Sequence, residues 1–180
     1  MNTFIGIKKL WYGDEITDAS TIDTSAEIEA LIAAQNSTFK EVTNVHEDTW
    51  GYEESDPEVT EYNNELTGQP YYIDNVKQGQ PTISFTLGEY EYQQKADLQG
   101  GAVINDGNSN PIGWSRATSL ETIYKSIIAL SKTGVYIVFP KAQITAKGDT
   151  QEKNIGLGIQ AKAVESTYTG VAMEYWVKKP

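Results

Sequence analysis

The chain has 180 residues, no cysteine and a formal net charge of −11 at pH 7. This length fits one domain with a sizeable core, and the lack of cysteine excludes disulfide bonds and thiol chemistry. The acidic excess disfavours tight sequence-independent binding of nucleic acid, because the surface repels phosphate groups. No apolar run is long enough to span a bilayer, and frequent glycine and tyrosine favour β structure.

The N-terminal part of the chain contains signals for two strands and one helix. Residues 4–7 can form a first strand, and residues 11–14 have the composition of a turn or loop after it. The pattern Thr-Ser-Ala-Glu at residues 24–27 spells a capping box, and apolar residues follow it at helical spacing. We therefore predict a short amphipathic helix over residues 25–35 and a second strand over residues 39–46.

The stretch from residue 47 to residue 69 holds eight acidic residues and no lysine or arginine. It lacks a clear periodicity, which is typical of a functional loop. The aromatic side chains among its acids need a surface to pack against. We therefore predict a long acidic loop that orders against a neighbouring subunit, with these candidate contact residues: Trp50, Tyr52, Glu53, Glu54 and Tyr62.

The middle of the chain predicts further strands and one ambiguous connection. Residues 71–73 and 82–87 have the composition of strands, and the second of these alternates strictly. Residues 89–98 fit a short helix or a turn-rich connection. Residues 105–111 are a turn by composition between two short apolar flanks. At the far end, residues 174–179 can form a final edge strand.

The last third of the chain predicts a β-meander, with strands at residues 123–130, 135–146 and 155–163. Gly134 suits the first turn because glycine takes the positive φ that a bulged hairpin needs. Residues 147–151 are polar and predict the second turn. The third strand alternates, so one face should pack and the other stay more open. The open face carries four small or polar residues: Gly156, Gly158, Gln160 and Lys162.

The first strand of this meander has an alternative interpretation as a helix. Apolar residues between positions 120 and 130 also lie at helical spacing, and a second capping box precedes them at residues 118–121. The strand is favoured, and both alternatives stay open for residues 120–131.

Candidate catalytic and metal-binding residues are few. His46 is the single histidine, so a Ser-His-Asp triad or a histidine-based zinc site would depend on it alone. The acidic stretch contains enough carboxylates for a glycosidase pair, but no pattern positions them. The turn at residues 105–111 lacks the full calcium-loop pattern. We therefore predict a protein that is not an enzyme, with no catalytic residue, no metal site and no cofactor.

Residues 125–142, KSIIALSKTGVYIVFPKA, resemble the late hairpin of phage major tail proteins, which form the tail tube. In that family a Phe-Pro-Lys-Ala strand is commonly followed by a polar turn and by a strand like residues 155–159. The segment KADLQGG at residues 95–101 is also in character. The resemblance covers the last half of the chain, and the first half only by layout.

The resemblance implies a mainly β fold of two packed antiparallel sheets, a β-sandwich or barrel, with one short flanking α-helix. The tube protein of type VI secretion shares this fold. It further implies hexameric rings that stack into a hollow tube, and a long loop that reaches the adjoining ring, for which residues 47–69 are the candidate. The open face of the third strand is then a candidate lining of the lumen.

The partners implied are copies of the chain itself and other tail proteins, with no membrane. DNA would pass through the tube without tight binding, and the acidic excess predicts a net negative wall. The protein would be synthesised in the host cytoplasm and reside in the virion tail. Two alternatives remain: a non-catalytic β-sandwich that binds carbohydrate or a cell surface, and a tube subunit of a contractile injection system.

Overall fold

A computed structural model describes residues 3–180 of the chain. In it 47% of residues lie in strands and 11% are helical, which confirms the predicted mainly β class. The two α-helices are α1 (Ser25–Ala33) and α2 (Tyr92–Gln99). The described residues form these strands: β1 (Ile7–Gly13), β2 (Lys40–Glu41), β3 (Gly51–Glu54), β4 (Glu58–Asn63), β5 (Pro70–Lys77), β6 (Pro81–Leu87), β7 (Ala102–Asn105), β8 (Pro111–Ser115), β9 (Ile123–Ser131), β10 (Val135–Gln151), β11 (Asn154–Ala163) and β12 (Tyr175–Lys178).

One antiparallel sheet contains eight of these strands, in the order β2-β1-β9-β10-β11-β6-β3, with β12 also paired to β10. The first part of β10 pairs with β9 and β12, and its second part pairs with β11. Side chains of β1, β6, β9, β10 and β11 meet in one buried cluster, so the sheet folds over its own inner face. The fold is therefore sandwich-like, as predicted, with its two layers joined through the long strand β10.

The layer formed by β1, β9 and the start of β10 is buried on both faces. On the inner face Ile127 and Phe139 join the main core, and on the outer face Ile128 and Tyr136 pack with Ile28 of α1. Because both faces are covered, these strands read as nearly continuous apolar runs. Burial of each such side chain contributes about 1.5–3 kcal/mol.

Local contacts define the ends of both helices. The Thr24 hydroxyl accepts from the backbone N–H of Glu27 at 3.3 Å, and the Glu27 carboxylate accepts from the Thr24 N–H at 2.9 Å. This confirms the predicted capping box of α1, which ends two residues before the predicted boundary. The ambiguous connection forms α2, which is followed by Gly100 at a φ of 79°, whose N–H donates to the Ala96 carbonyl at 3.0 Å.

The strand interpretation of residues 120–131 is confirmed by β9. Ile127 and Ile128 are both fully buried, on opposite faces, which a strand achieves through its alternating side chains. Leu120 is fully exposed and takes no part in a helical face. The predicted turn follows, with Gly134 at a φ of 79° and its N–H donating to the Ser131 carbonyl at 3.2 Å.

Two N-terminal predictions are wrong in their boundaries. The predicted turn at residues 11–14 lies mostly within β1, because pairing with the distant strand β9 extends β1 to Gly13. Of the predicted strand at residues 39–46, only β2 forms. Beyond it the chain leaves β1 and crosses towards β6, where the His46 N–H donates to the Thr86 carbonyl at 2.8 Å.

The predicted turn at residues 147–151 is also wrong, because β10 continues to Gln151. The β11 ladder pairs Lys147 with Gly158 and Asp149 with Gly156. Hydrogen bonds to β11 therefore hold this polar segment in a strand, although its composition does not predict one. The chain reverses at residues 152–153, with Glu152 at a φ of 53°.

Candidate interaction surface: an exposed arm

A long projection, which we call the arm, leaves the domain at the end of β3 and returns before β6. It comprises residues 53–78, and every one of them is exposed. Most of it is a hairpin in which β4 pairs with β5 alone. The loop predicted at residues 47–69 is therefore wrong in part, since β3 and β4 form within it. The hairpin was not predicted from the sequence, because β5 begins after residue 69 and acidic residues interrupt the apolar pattern of β4.

The tip of the arm is closed by local hydrogen bonds. The Asn64 N–H donates to the Gln69 carbonyl at 2.9 Å, and the Gly68 N–H donates to the Asn64 carbonyl at 2.7 Å. Gly68 has a φ of 67°, a conformation that glycine adopts without strain. Leu66 lies in this turn with 94% of its surface exposed. The tip is therefore a defined turn that presents an apolar side chain to solvent.

Apolar side chains continue along both strands of the arm. An isolated two-stranded hairpin is at best marginally stable in water, and contiguous exposed apolar surface marks an interaction site. The arm therefore has the properties of a segment that is completed by a partner. Its exposed large apolar residues are Val59, Tyr62, Leu66, Tyr71, Tyr72, Ile73 and Val76.

The arm is also strongly acidic. It contains seven acidic residues and one lysine, so it carries −6 of the formal charge of −11. The register places an acidic residue directly opposite an apolar one, with Glu61 paired to Ile73. A partner surface for the arm would therefore combine apolar contacts with positive charge.

The five residues predicted to contact a neighbouring subunit divide into two groups. Tyr62 lies on β4 within the arm, and Glu53 and Glu54 are exposed at its base. For Trp50 and Tyr52 the prediction is corrected, because both pack on their own domain.

The aromatic contacts of Trp50 and Tyr52 close one side of the sandwich. The Trp50 ring stacks between Phe4 and Phe85, with centroid distances of 6.0 and 6.5 Å. The Tyr52 hydroxyl donates to the Glu174 carboxylate at 2.9 Å. Burial, and then this hydrogen bond, raise the pKa of Tyr52. These aromatics come from distant parts of the chain, so no local pattern could assign them to one cluster.

The four residues predicted to face a lumen lie on one face of β11 but differ in exposure. Gln160 and Lys162 are exposed, Gly158 is partly buried and Gly156 is buried. A Cβ atom at Gly156 would lie only 2.7 Å from the Leu87 carbonyl oxygen. The open part of this face is therefore its Gln160–Lys162 end. At Gly156 the lack of a side chain allows the backbone of β6 to approach closely.

This same face carries balanced charge. Cross-strand pairing places Lys147 and Asp149 of β10 on it, and Glu53 of β3 lies two strands from Lys162. Two lysines and two acids therefore share the face, whereas the acidic excess of the chain predicts a net negative wall. Seven of the 25 acidic residues lie on the arm.

Comparison with protein-family models and with curated proteins finds no match to this chain. Among residues 3–180, no group of three or more histidine, cysteine, aspartate or glutamate side chains could hold a metal ion. In the same range, no helix has the length and apolar character needed to cross a membrane.

Proposed function

We propose that the protein is a structural subunit that assembles with copies of itself. The assembly implied by the family resemblance is the tube of a phage tail, built from stacked six-fold rings through which DNA passes. The observation that carries the proposal is the arm, whose 26 residues are all exposed although many are large and apolar. A segment of this kind gains most of its stability from contacts outside its own domain.

The free strand edges support assembly as well. Within the described sheet β2, β3 and β12 each pair with one strand only, so each has one unpaired edge. An open edge invites pairing with another chain unless a neighbour covers it. A head-to-tail contact whose rotation closes into a ring covers such edges on every subunit.

The charge distribution supports a conduit that does not hold DNA. The chain has 25 acidic and 14 basic residues, and the candidate lumen face has as many acids as lysines. Each lysine–phosphate contact adds a salt-sensitive attraction, and many such contacts along a tube would retain the DNA. A balanced or acidic surface leaves the polymer free to slide.

Sedimentation velocity and electron microscopy at increasing protein concentration test the proposal. We expect six-fold rings or stacked tubes from the wild type at high concentration. A matched variant, with a short Gly-Ser turn in place of residues 57–78, should remain folded and monomeric. A wild type that is monomeric at every concentration, or an arm-shortened variant that assembles equally well, would contradict the proposal.

A groove beside α2 favours a second candidate function, the binding of carbohydrate. It has a volume of about 670 Å³ and is lined by Tyr90, Tyr92 and Asn154 among others. Tyrosine offers an apolar ring face with a polar hydroxyl, a combination suited to sugar rings. Binding of a glycan array by the wild type, and its loss in Tyr90→Ala/Tyr92→Ala, would favour this function over assembly.

A further inference from the structure

A second surface of the domain combines positive charge with apolar side chains, whereas the arm is acidic. Between α1 and the sheet, near the start of β1, lies a groove of about 290 Å³. Its apolar residues include Trp11, Leu130 and Tyr136, which belong to the buried cluster between α1 and the outer face of the sheet, here called the outer cluster. Three lysines also line it: Lys8, Lys9 and Lys179. We call this surface the lysine groove.

The fold brings these lysines together from distant positions. Lys8 and Lys9 are at the start of β1, which pairs with the end of β9. Lys179 follows β12, and its backbone N–H donates to the Gly134 carbonyl at 2.7 Å. The turn between β9 and β10 therefore connects both ends of the chain at one place.

Acidic side chains neutralise part of the positive charge of the lysine groove. Glu29 of α1 accepts from Lys179 at 2.7 Å and from the Tyr136 hydroxyl at 3.0 Å. Glu41 pairs with Lys9 at 3.0 Å. The lining itself holds three lysines and one glutamate, so the groove stays positive. Both ion pairs are about half exposed, and exposed ion pairs of this kind contribute little to stability.

We infer that the lysine groove of one copy receives the arm of a second copy. The inference rests on the proposed function, in which the arm docks between copies. The arm offers acids beside exposed tyrosine, leucine and isoleucine side chains, and the groove offers lysines beside an apolar floor. This pairing matches charge with opposite charge and apolar surface with apolar surface.

The occupant is a second copy because the arm of the same copy does not fill the groove. Every arm residue is exposed, and none lines the groove. Each copy therefore presents one arm and one empty receiving surface. Such a heterologous contact repeats from copy to copy and produces rings or filaments rather than closed dimers.

Charge reversal on the groove tests the inference. Lys8→Glu/Lys9→Glu should raise the protein concentration needed for half-assembly by about tenfold or more. The matched control is Lys153→Glu/Lys178→Glu, which changes the net charge equally. Lys153 lies in the turn after β10, and Lys178 alternates with Val177, which packs towards the outer cluster. The control should assemble as the wild type does.

Mixing two defective variants gives a sharper test. The arm-shortened variant keeps its groove, and Lys8→Glu/Lys9→Glu keeps its arm. At the concentration of half-assembly of the wild type each alone should be largely monomeric, and an equimolar mixture should form 1:1 dimers in sedimentation velocity. A third variant with Glu61→Lys/Glu65→Lys in the arm should restore assembly when combined with the reversed groove in one chain.

The outcomes separate this inference from the proposed function. If the arm-shortened variant assembles like the wild type, the proposed function is wrong and the inference falls with it. If that variant is monomeric but Lys8→Glu/Lys9→Glu assembles normally, the inference alone is wrong. Circular dichroism and thermal unfolding check that each variant is folded. Should the double reversal unfold the domain, Lys8→Gln/Lys9→Gln takes its place, with the same expected loss and the same overturning result.

Discussion

Tyr62 and Tyr72 lie directly opposite each other on the two strands of the arm. Their ring centroids are 5.8 Å apart and the ring planes are tilted by 44°. Tyr62 is 46% exposed and Tyr72 is 56% exposed. The pair thus supports the pairing of β4 with β5 while it leaves about half of each ring available to a partner.

We predict that Tyr62→Ala/Tyr72→Ala impairs assembly without unfolding the domain. Because neither ring contacts the core, the free energy of unfolding should change by less than about 0.5 kcal/mol. The loss of aromatic contact area should raise the concentration of half-assembly by about tenfold or more. Urea denaturation and sedimentation velocity measure the two effects separately.

Tyr168→Ala is the matched control for this pair, since Tyr168 is 47% exposed and lies outside the arm. It should leave assembly unchanged. If the double variant assembles as well as the wild type does, the tyrosine pair is not part of the interface.

The second prediction concerns the aromatic cluster at the base of the arm. Trp50→Ala should lower the free energy of unfolding by about 2–3 kcal/mol, because it removes contacts with Phe4 and Phe85 from a partly buried site. Leu120→Ala, at a fully exposed position, should change it by less than about 0.5 kcal/mol. Urea denaturation measures both changes. If Trp50→Ala leaves the free energy of unfolding unchanged, this ring is not part of the core.

The third prediction compares Gly148 of β10 with Gly156 of the neighbouring strand β11. Gly156→Ala should destabilise the fold by about 1–3 kcal/mol, because the new Cβ would meet the Leu87 carbonyl and the Thr86 methyl group at 2.7 Å. At Gly148 the nearest atom is 3.8 Å away, so Gly148→Ala should be tolerated. The difference between their thermal midpoints is the measurement, and equal midpoints would refute the close approach at Gly156.

The fourth prediction concerns Asp97, which links α2 to the sheet. Its carboxylate accepts from the Lys40 ammonium at 2.6 Å and from the Tyr12 hydroxyl at 3.0 Å. Burial raises the pKa of Asp97, but hydrogen bonds from Lys40, Gln93 and Tyr12 together lower it below its usual value. A carboxyl group with a lowered pKa stabilises the fold above its unfolded pKa, and this contribution is lost as pH falls through the folded value.

Asp97→Asn should therefore lower the free energy of unfolding by about 1–2 kcal/mol at neutral pH. The difference from the wild type should shrink as the pH falls below about 4. Urea denaturation across this range measures it, with Asp74→Asn on the exposed arm as a control that should have no effect. A difference that does not depend on pH would show that the charge of Asp97 is unimportant.

The fifth prediction is that the protein does not bind duplex DNA at physiological salt. Fluorescence anisotropy with a labelled duplex should show no binding, because acids outnumber basic residues and the candidate lumen face is balanced. Glu53→Lys/Asp149→Lys would convert that face to four lysines and should create salt-sensitive binding. Micromolar binding by the wild type would point to a different role for the domain.

Short-range features were predictable from the sequence. The Thr24–Glu27 capping box depends on residues three apart, so the start of α1 follows from local chemistry. The turn at Gly134 needs a residue that tolerates positive φ, and the strict alternation of β11 indicates one packed face. These signals lie within a few residues of the structure that they specify.

The arm and the lysine groove were not predictable in this way. The β4–β5 hairpin depends on a partner beyond the acidic stretch, and its exposure depends on the lack of packing against the domain. The lysine groove joins Lys8 to Lys179, which lie at opposite ends of the chain. A pattern within one segment carries no information about such neighbours.

Local sequence patterns predict the mainly β class, the start of α1 and the meander of β9, β10 and β11, and the composition gives the acidic excess. Contacts between distant segments place Trp11 and Tyr12 in a buried strand and pack Trp50 on Phe85, and residues 53–78 project because they lack such contacts with the domain. The two groups of features differ in the range of the interactions that produce them. Capping, turn formation and alternation act between near neighbours, whereas burial and strand pairing depend on residues that meet only when the chain folds.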